Sequence, residues 1–162
     1  MLDKEIHREI REMVLGQIPR EMHPWSSHEG QGDITLYRLV GDQRVQVAEP
    51  DIVARNGRRI MVIEIELSDR PKMLLGDAFA VWTATNGSCK NEDVTLESKS
   101  LMIVVRKPNR QTSNRKSGKP SQWTAIEKIV RSTLDFDSFM IANDTEVSSK
   151  LDEWNRANQD PK

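Results

Sequence analysis

The chain has 162 residues, with 24 Lys and Arg against 25 Asp and Glu, and a net charge of −1. That length suits one domain with one core. The near balance of charge excludes a globally basic nucleic-acid binder, so any affinity for a polyanion has to come from a local patch.

Cys89 is the only cysteine, which excludes an internal disulfide. No apolar run approaches the roughly 20 residues that cross a bilayer. The start, Met1-Leu2-Asp3-Lys4-Glu5, lacks a signal peptide's apolar stretch, so a cytoplasmic location and no membrane partner are expected. The expectation is one domain over 1–157 and a frayed tail over 158–162.

Leu2 to Ile18 reads as an amphipathic helix, with Leu2, Ile6, Ile10, Met13, Val14 and Gln17 at helical spacing. Pro19 ends it. Glu9 borders the apolar face and Glu12 lies farther round. Pro19 to Gly32 is a loop in which His23, His28 and Glu29 lack the second cluster a zinc site needs. Asp33 to Val40 alternates as a strand, with Asp33 a further acidic candidate at its start. Arg44 to Ala48 alternates again, Val45 and Val47 inward, and is expected to run on past Pro50.

Pro50 to Glu66, PDIVARNGRRIMVIEIE, is a hairpin. Asn56-Gly57 is the two-residue turn signal, because both central positions need positive φ. That register sets Arg55 against Arg58, Val53 against Ile60 and Asp51 against Val62. Period-two alternation then puts Asp51, Val53, Ile60, Val62, Glu64 and Glu66 on one face. Ile52, Ala54, Met61, Ile63 and Ile65 share the other face, which is apolar and reads as core. Asp51 and Glu64 are diagonal neighbours with backbones roughly 7–8 Å apart. Crowded carboxylates repel one another and lose hydration, and a divalent cation such as Mg²⁺, which takes carboxylate oxygens, removes that cost.

Ser68 or Asp69 caps a helix over about Pro71 to Thr85, with Pro71 in its first turn. Gly76 marks close packing there. Lys72 enters near Glu66, and Asp77 lies one turn on, placed to pair with it. Asn86 to Ser100 reads as a loop, and Leu101 to Val105 as a strand buried on both faces. Arg106 to Pro120 holds Arg106, Lys107, Arg110, Arg115, Lys116 and Lys119 and no acid. Such a run follows phosphates and releases counterions. A helix with Trp123, Ile126, Val130 and Leu134 on one face follows. Then come a strand over Ser138 to Ala142 and a last helix carrying Val147, Leu151 and Trp154.

Pro50-Asp51 followed by Glu64-Ile65-Glu66 resembles the PD-(D/E)xK nuclease superfamily, in an ExE variant. The resemblance implies a restriction endonuclease-like α/β/α sandwich with a mixed central sheet and Mg²⁺- or Mn²⁺-dependent cleavage of DNA. It makes Asp51 and Glu64 metal ligands. Glu66 stands where the family usually has lysine; some members carry Glu or Gln there, and others move the lysine to the next helix, where Lys72 stands. A first-helix glutamate near the metal is matched by Glu9. The implied catalytic set is Asp51, Glu64, Glu66 and Lys72, the metal set Asp51, Glu64, Glu66 and Glu9. A homodimer is expected for cutting both strands. The alternative is a catalytically inactive nuclease-like module that binds nucleic acid or assembles with other proteins.

Overall fold

The structure, a computed structural model, describes residues 2–27, 33–106 and 120–157. It is a mixed α/β fold. Helix α1 (Leu2–Gln17) leads through a short 3-10 turn (Arg20–Met22) to β1 (Trp25–Ser26). Next come β2 (Ile34–Val40), β3 (Gln43–Ala48), β4 (Ile52–Asn56), β5 (Arg59–Glu66) and α2 (Pro71–Thr83). The chain closes with β6 (Asn86–Cys89), β7 (Glu92–Thr95), β8 (Ser98–Val105), α3 (Pro120–Thr133), β9 (Ser138–Asn143) and α4 (Val147–Arg156). No helix among the described residues is long and apolar enough to cross a membrane.

The central sheet is mixed, in the order β1-β4-β5-β8-β9. β1 with β4 and β4 with β5 are antiparallel pairs, and β8 and β9 add to β5 in parallel. Its period-two strands feed two cores. Val53, Ile60, Val62, Leu101 and Ile103 face α2 and α3 through Leu74, Ala78, Val81, Ile126 and Val130. Ile52, Ala54, Met61, Ile63, Ile65 and Met102 face α1 and α4 through Ile10, Val14, Leu151 and Trp154. The two faces of the β4–β5 hairpin therefore divide as the alternation predicts.

The register differs. Asn56 pairs with Arg59 and Val53 with Val62, so the loop residues are Gly57 and Arg58, one position later than expected. Only Gly57, at φ 63, is left-handed, as a type II′ turn requires at its first position. Asn56 stays in the strand, and its side-chain amide donates to Asn155 Oδ1 of α4 at 3.1 Å. Moving the turn by one shifts the pairing by two, and two preserves the parity of every side chain. Both face assignments survive for that reason.

Five other expectations need correction. The strand over 44–48 does not continue past Pro50: β3 ends at Ala48 and pairs with β2 in a second sheet, β3-β2-β6-β7. Val45 is exposed on that hairpin rather than inward. Residues 86–95 form β6 and β7, not a loop; β6 takes its partners from β2, with Leu36 opposite Gly87. A Cβ at position 87 would meet the Leu36 side chain at 3.0 Å, so Gly87 permits the close approach that seats Leu36. Gly76 faces open space, not a packed neighbour. Helix α2 starts from Arg70 without a side-chain cap, not from Ser68 or Asp69.

Two polar anchors fix the helices. Lys99 donates from Nζ to the carbonyls of Val81, Trp82 and Ala84, neutralising the C-terminal end of α2. On the opposite face Trp154 Nε1 donates to Ser100 Oγ at 3.0 Å inside the core. Ser100→Ala strands that buried N–H, and the expected cost is about 1–2 kcal/mol in urea unfolding. A change under half of that would show that the indole finds another acceptor.

Candidate active site

β5 outruns β4. The last β4 pair is Ile52 with Ile63, while β5 continues to Glu66 against Val105 of β8. Pro50, with no N–H to donate, stops the ladder. On this overhang Asp51 replaces the missing strand: its Oδ2 accepts from Ile65 N–H at 2.9 Å. Its Oδ1 lies 3.3 Å from His7 Nε2 of α1. The Asp51 carbonyl accepts from Ser27 N–H at 2.9 Å, and Arg11 donates to the Ser27 carbonyl.

Glu64 and Glu66 stand on the same overhang, and α2 lowers Asp77 onto it. The Glu66 and Asp77 carboxyls lie within hydrogen-bond reach of each other, a contact that raises Glu66 and lowers Asp77. Burial, then the charges of Asp51, Asp77 and Glu66, pushes Glu64 well above the usual carboxylate range; an N–H from Asp51 opposes this. The residue is partly accessible, but the carboxyl itself is packed round by protein, so desolvation dominates. Burial and the bond to Asp77 raise Glu66 to about 8. Burial also raises Asp77, against the pull of its bond to Glu66. His7 is raised, chiefly by its bond to Asp51 and against desolvation. Four carboxyl groups thus feel one another at one strand end.

The donor set suits a hard dication, all carboxylate oxygen with one imidazole. Asp77 Oδ2 is buried without a hydrogen-bond partner, so the cluster holds acceptor capacity that protein groups do not fill. As placed, no three described His, Cys, Asp or Glu groups converge at metal-ligand spacing. Glu66 turns to Asp77, and Asp51 to His7 and Ile65. Residues able to hold a cation are Asp51, Glu64, Glu66 and Asp77.

No protein-family model matches the chain, and no curated protein matches it.

The structure brings Asp51, Glu64 and Glu66 together. Glu9 is exposed on α1, and His7 is the residue of that helix which reaches Asp51. They lie two positions apart, which on a helix is more than half a turn. Lys72 is exposed at the second position of α2, and the partner of Asp77 is Glu66 rather than Lys72. Arg106 is exposed, and its backbone N–H donates to the Glu66 carbonyl at 3.3 Å. Lys107, Arg110, Arg115, Lys116 and Lys119 lie outside the described residues, as do His28, Glu29 and the tail 158–162. Asp33 stands just before β2 of the second sheet, where its charge acts on Cys89. A cavity of about 420 Å³, lined by Arg55, Gly57, Arg58 and Glu97, opens at the turn end of the hairpin, a strand's length from the acids.

His7 and Asp77 were missed by sequence reasoning. Asp77 had a signal, an acid on the buried side of a mostly apolar helix. His7 had only its place beside the Ile6 and Ile10 stripe.

Proposed function

We propose that this chain is a divalent-metal-dependent nuclease that hydrolyses DNA phosphodiester bonds, on a restriction endonuclease-like α/β/α sandwich of the PD-(D/E)xK type. What carries the reading is the meeting of Asp51 and Glu64 on the β5 overhang, with Glu66 and Asp77 beside them. Supporting it is the order of a leading helix, an antiparallel hairpin, and a helical crossover into the parallel strand β8. The basic run that begins at Arg106, hydrogen-bonded to Glu66, supplies the affinity for phosphate.

When bound, Mg²⁺ or Mn²⁺ would polarise the scissile phosphate and acidify a water. Asp51 is oriented for ligation by Ile65 N–H and His7. Glu64 supplies the second ligand charge, in a desolvated setting where charge acts strongly. Glu66 and Asp77 hold one proton between them, and Glu66 occupies the position of the family lysine. Lys72, on an exposed stem, offers a cation to the developing phosphorane charge.

Incubating the protein with plasmid, linear and branched DNA tests this. The expected result is nicking or degradation that needs Mg²⁺ or Mn²⁺ and stops with EDTA. Absence of cleavage on all three, with either metal, sinks the enzyme. The second reading, a nuclease-like module without chemistry, is favoured by one observation: the Glu66–Asp77 proton quiets the cluster without any cation. It predicts no thermal shift on adding Mg²⁺.

A further inference from the structure

The acidic strand end repels phosphate, so a polynucleotide needs cations on the rim to approach it. Helix α1 carries such a rim. Lys4, Arg8 and Arg11 recur at three- and four-residue spacing and form one stripe. Glu5, Glu9 and Glu12 recur at the same spacing one residue on and form a second stripe alongside it, with Glu5 and Glu12 three and four residues from Arg8. The buried Ile10 and Val14 flank the cationic stripe on its other side.

Two contacts fix which way the cationic stripe faces. His7, at its border with the core, reaches Asp51 at 3.3 Å. Arg11, within it, is buried and donates to the carbonyl of Ser27, whose N–H donates to the Asp51 carbonyl. Lys4 and Arg8 are the exposed members. The acids that border the stripe are Asp3, one turn before His7 and in the first turn where it complements the helix dipole, and Glu5 and Glu12 beside Arg8. Across the acids stand the exposed Arg70 and Lys72 at the start of α2, and Arg106 at the end of β8.

We infer that Lys4 and Arg8 seat the sugar–phosphate backbone of a nucleic acid running past Asp51 along α1. The inference rests on the nuclease reading for the identity of the polyanion. It deepens that reading by naming a phosphate surface on the first helix, separate from the basic run after β8. Charge complementarity selects the occupant: acids at the centre and cations on at least two sides match a phosphodiester chain bridged at one point. Neither side chain is buried, so neither is needed for folding.

The experiment compares Lys4→Ala/Arg8→Ala with Arg58→Ala/Arg156→Ala. The second pair removes the same charge at the hairpin turn, where Asn155 meets Asn56. Binding of a fluorescent 20-mer duplex is followed in EDTA across a salt series, with melting curves confirming both folds. The Lys4/Arg8 variant is expected to bind about tenfold more weakly near 0.1 M salt, with the slope of log K against log salt reduced by about 2. The Arg58/Arg156 variant should change less than twofold. Equal losses in both variants, or no loss in the first, overturn the surface. So does wild-type protein that prefers phosphatidylserine vesicles to DNA and loses that preference in the Lys4/Arg8 variant. The nuclease reading fails separately: wild type that binds through Lys4 and Arg8 but cuts nothing with Mg²⁺ keeps the surface and loses the enzyme.

Discussion

Asp51→Asn is expected to lower DNA cleavage by about 10³-fold or more, because losing one ligand charge removes roughly 4 kcal/mol of stabilisation at the reacting phosphate. The substitution is chosen for what it keeps. Asparagine retains an acceptor for Ile65 N–H, now made at 2.9 Å, so the β5 overhang stays capped. Melting should therefore move by only a few degrees. Asp51→Ala should lose cleavage equally and also strand the Ile65 N–H, at a cost of about 1–3 kcal/mol. Glu64→Gln should be as inactive as Asp51→Asn, and no less stable than wild type in EDTA, since it removes a carboxyl that burial already disfavours as an ion. Wild-type cleavage rates in either isosteric variant, with the fold intact, would rule out the site.

In EDTA the protein is expected to lose stability as pH rises from about 4.5 to about 8. Glu64, Glu66 and Asp77 all hold their protons more tightly folded than unfolded. Above an ordinary carboxylate pKa the unfolded chain releases those protons while the fold keeps them, so each step up in pH favours unfolding. His7, raised by Asp51, acts in the same direction: its contribution is full in acid and lost as pH passes its folded value. For Glu66, raised from 4.5 to about 8 and half exposed, solvent screening leaves about 2 kcal/mol of the shift. For a chain of this size that is a fall in Tm of about 4–8 °C. Glu66→Gln should flatten the profile. Saturating Mg²⁺ should reverse it at pH 8, with about 2.7 kcal/mol regained at a hundredfold excess over Kd. A melting temperature that climbs from pH 5 to pH 8 in EDTA would contradict the clustering of the acids.

The parts of the fold that were legible share a cause. Ile52 to Ile65 is apolar on both faces of an extended hairpin, so its residues divide between two cores by the pleat, and a two-residue change of register leaves that division intact. Val147, Leu151 and Trp154 recur at helical spacing and are buried as expected. The strands that were missed lack such a pattern. Asn86 to Thr95 is polar and short; Asn86–Cys89 is extended because β2 lies alongside it to take its hydrogen bonds, and Glu92–Thr95 because β6 does. Likewise nothing local to Arg44 to Ala48 tells which of two sheets it joins.

The amino-acid sequence alone determined that Glu64 and Glu66 occupy one face of β5 and that Asp51 stands beside them at the mouth of the hairpin, because neighbouring extended segments fix side-chain direction by parity. It did not determine which helix residues meet them. His7 and not Glu9 reaches Asp51, and Asp77 rather than Lys72 reaches Glu66. Those choices depend on how α1 and α2 rotate about their own axes when they pack on the sheet. Rotation of that kind is settled by the fit of Ile10 and Val14 on one side, and of Leu74 and Ala78 on the other, against strands distant in the chain.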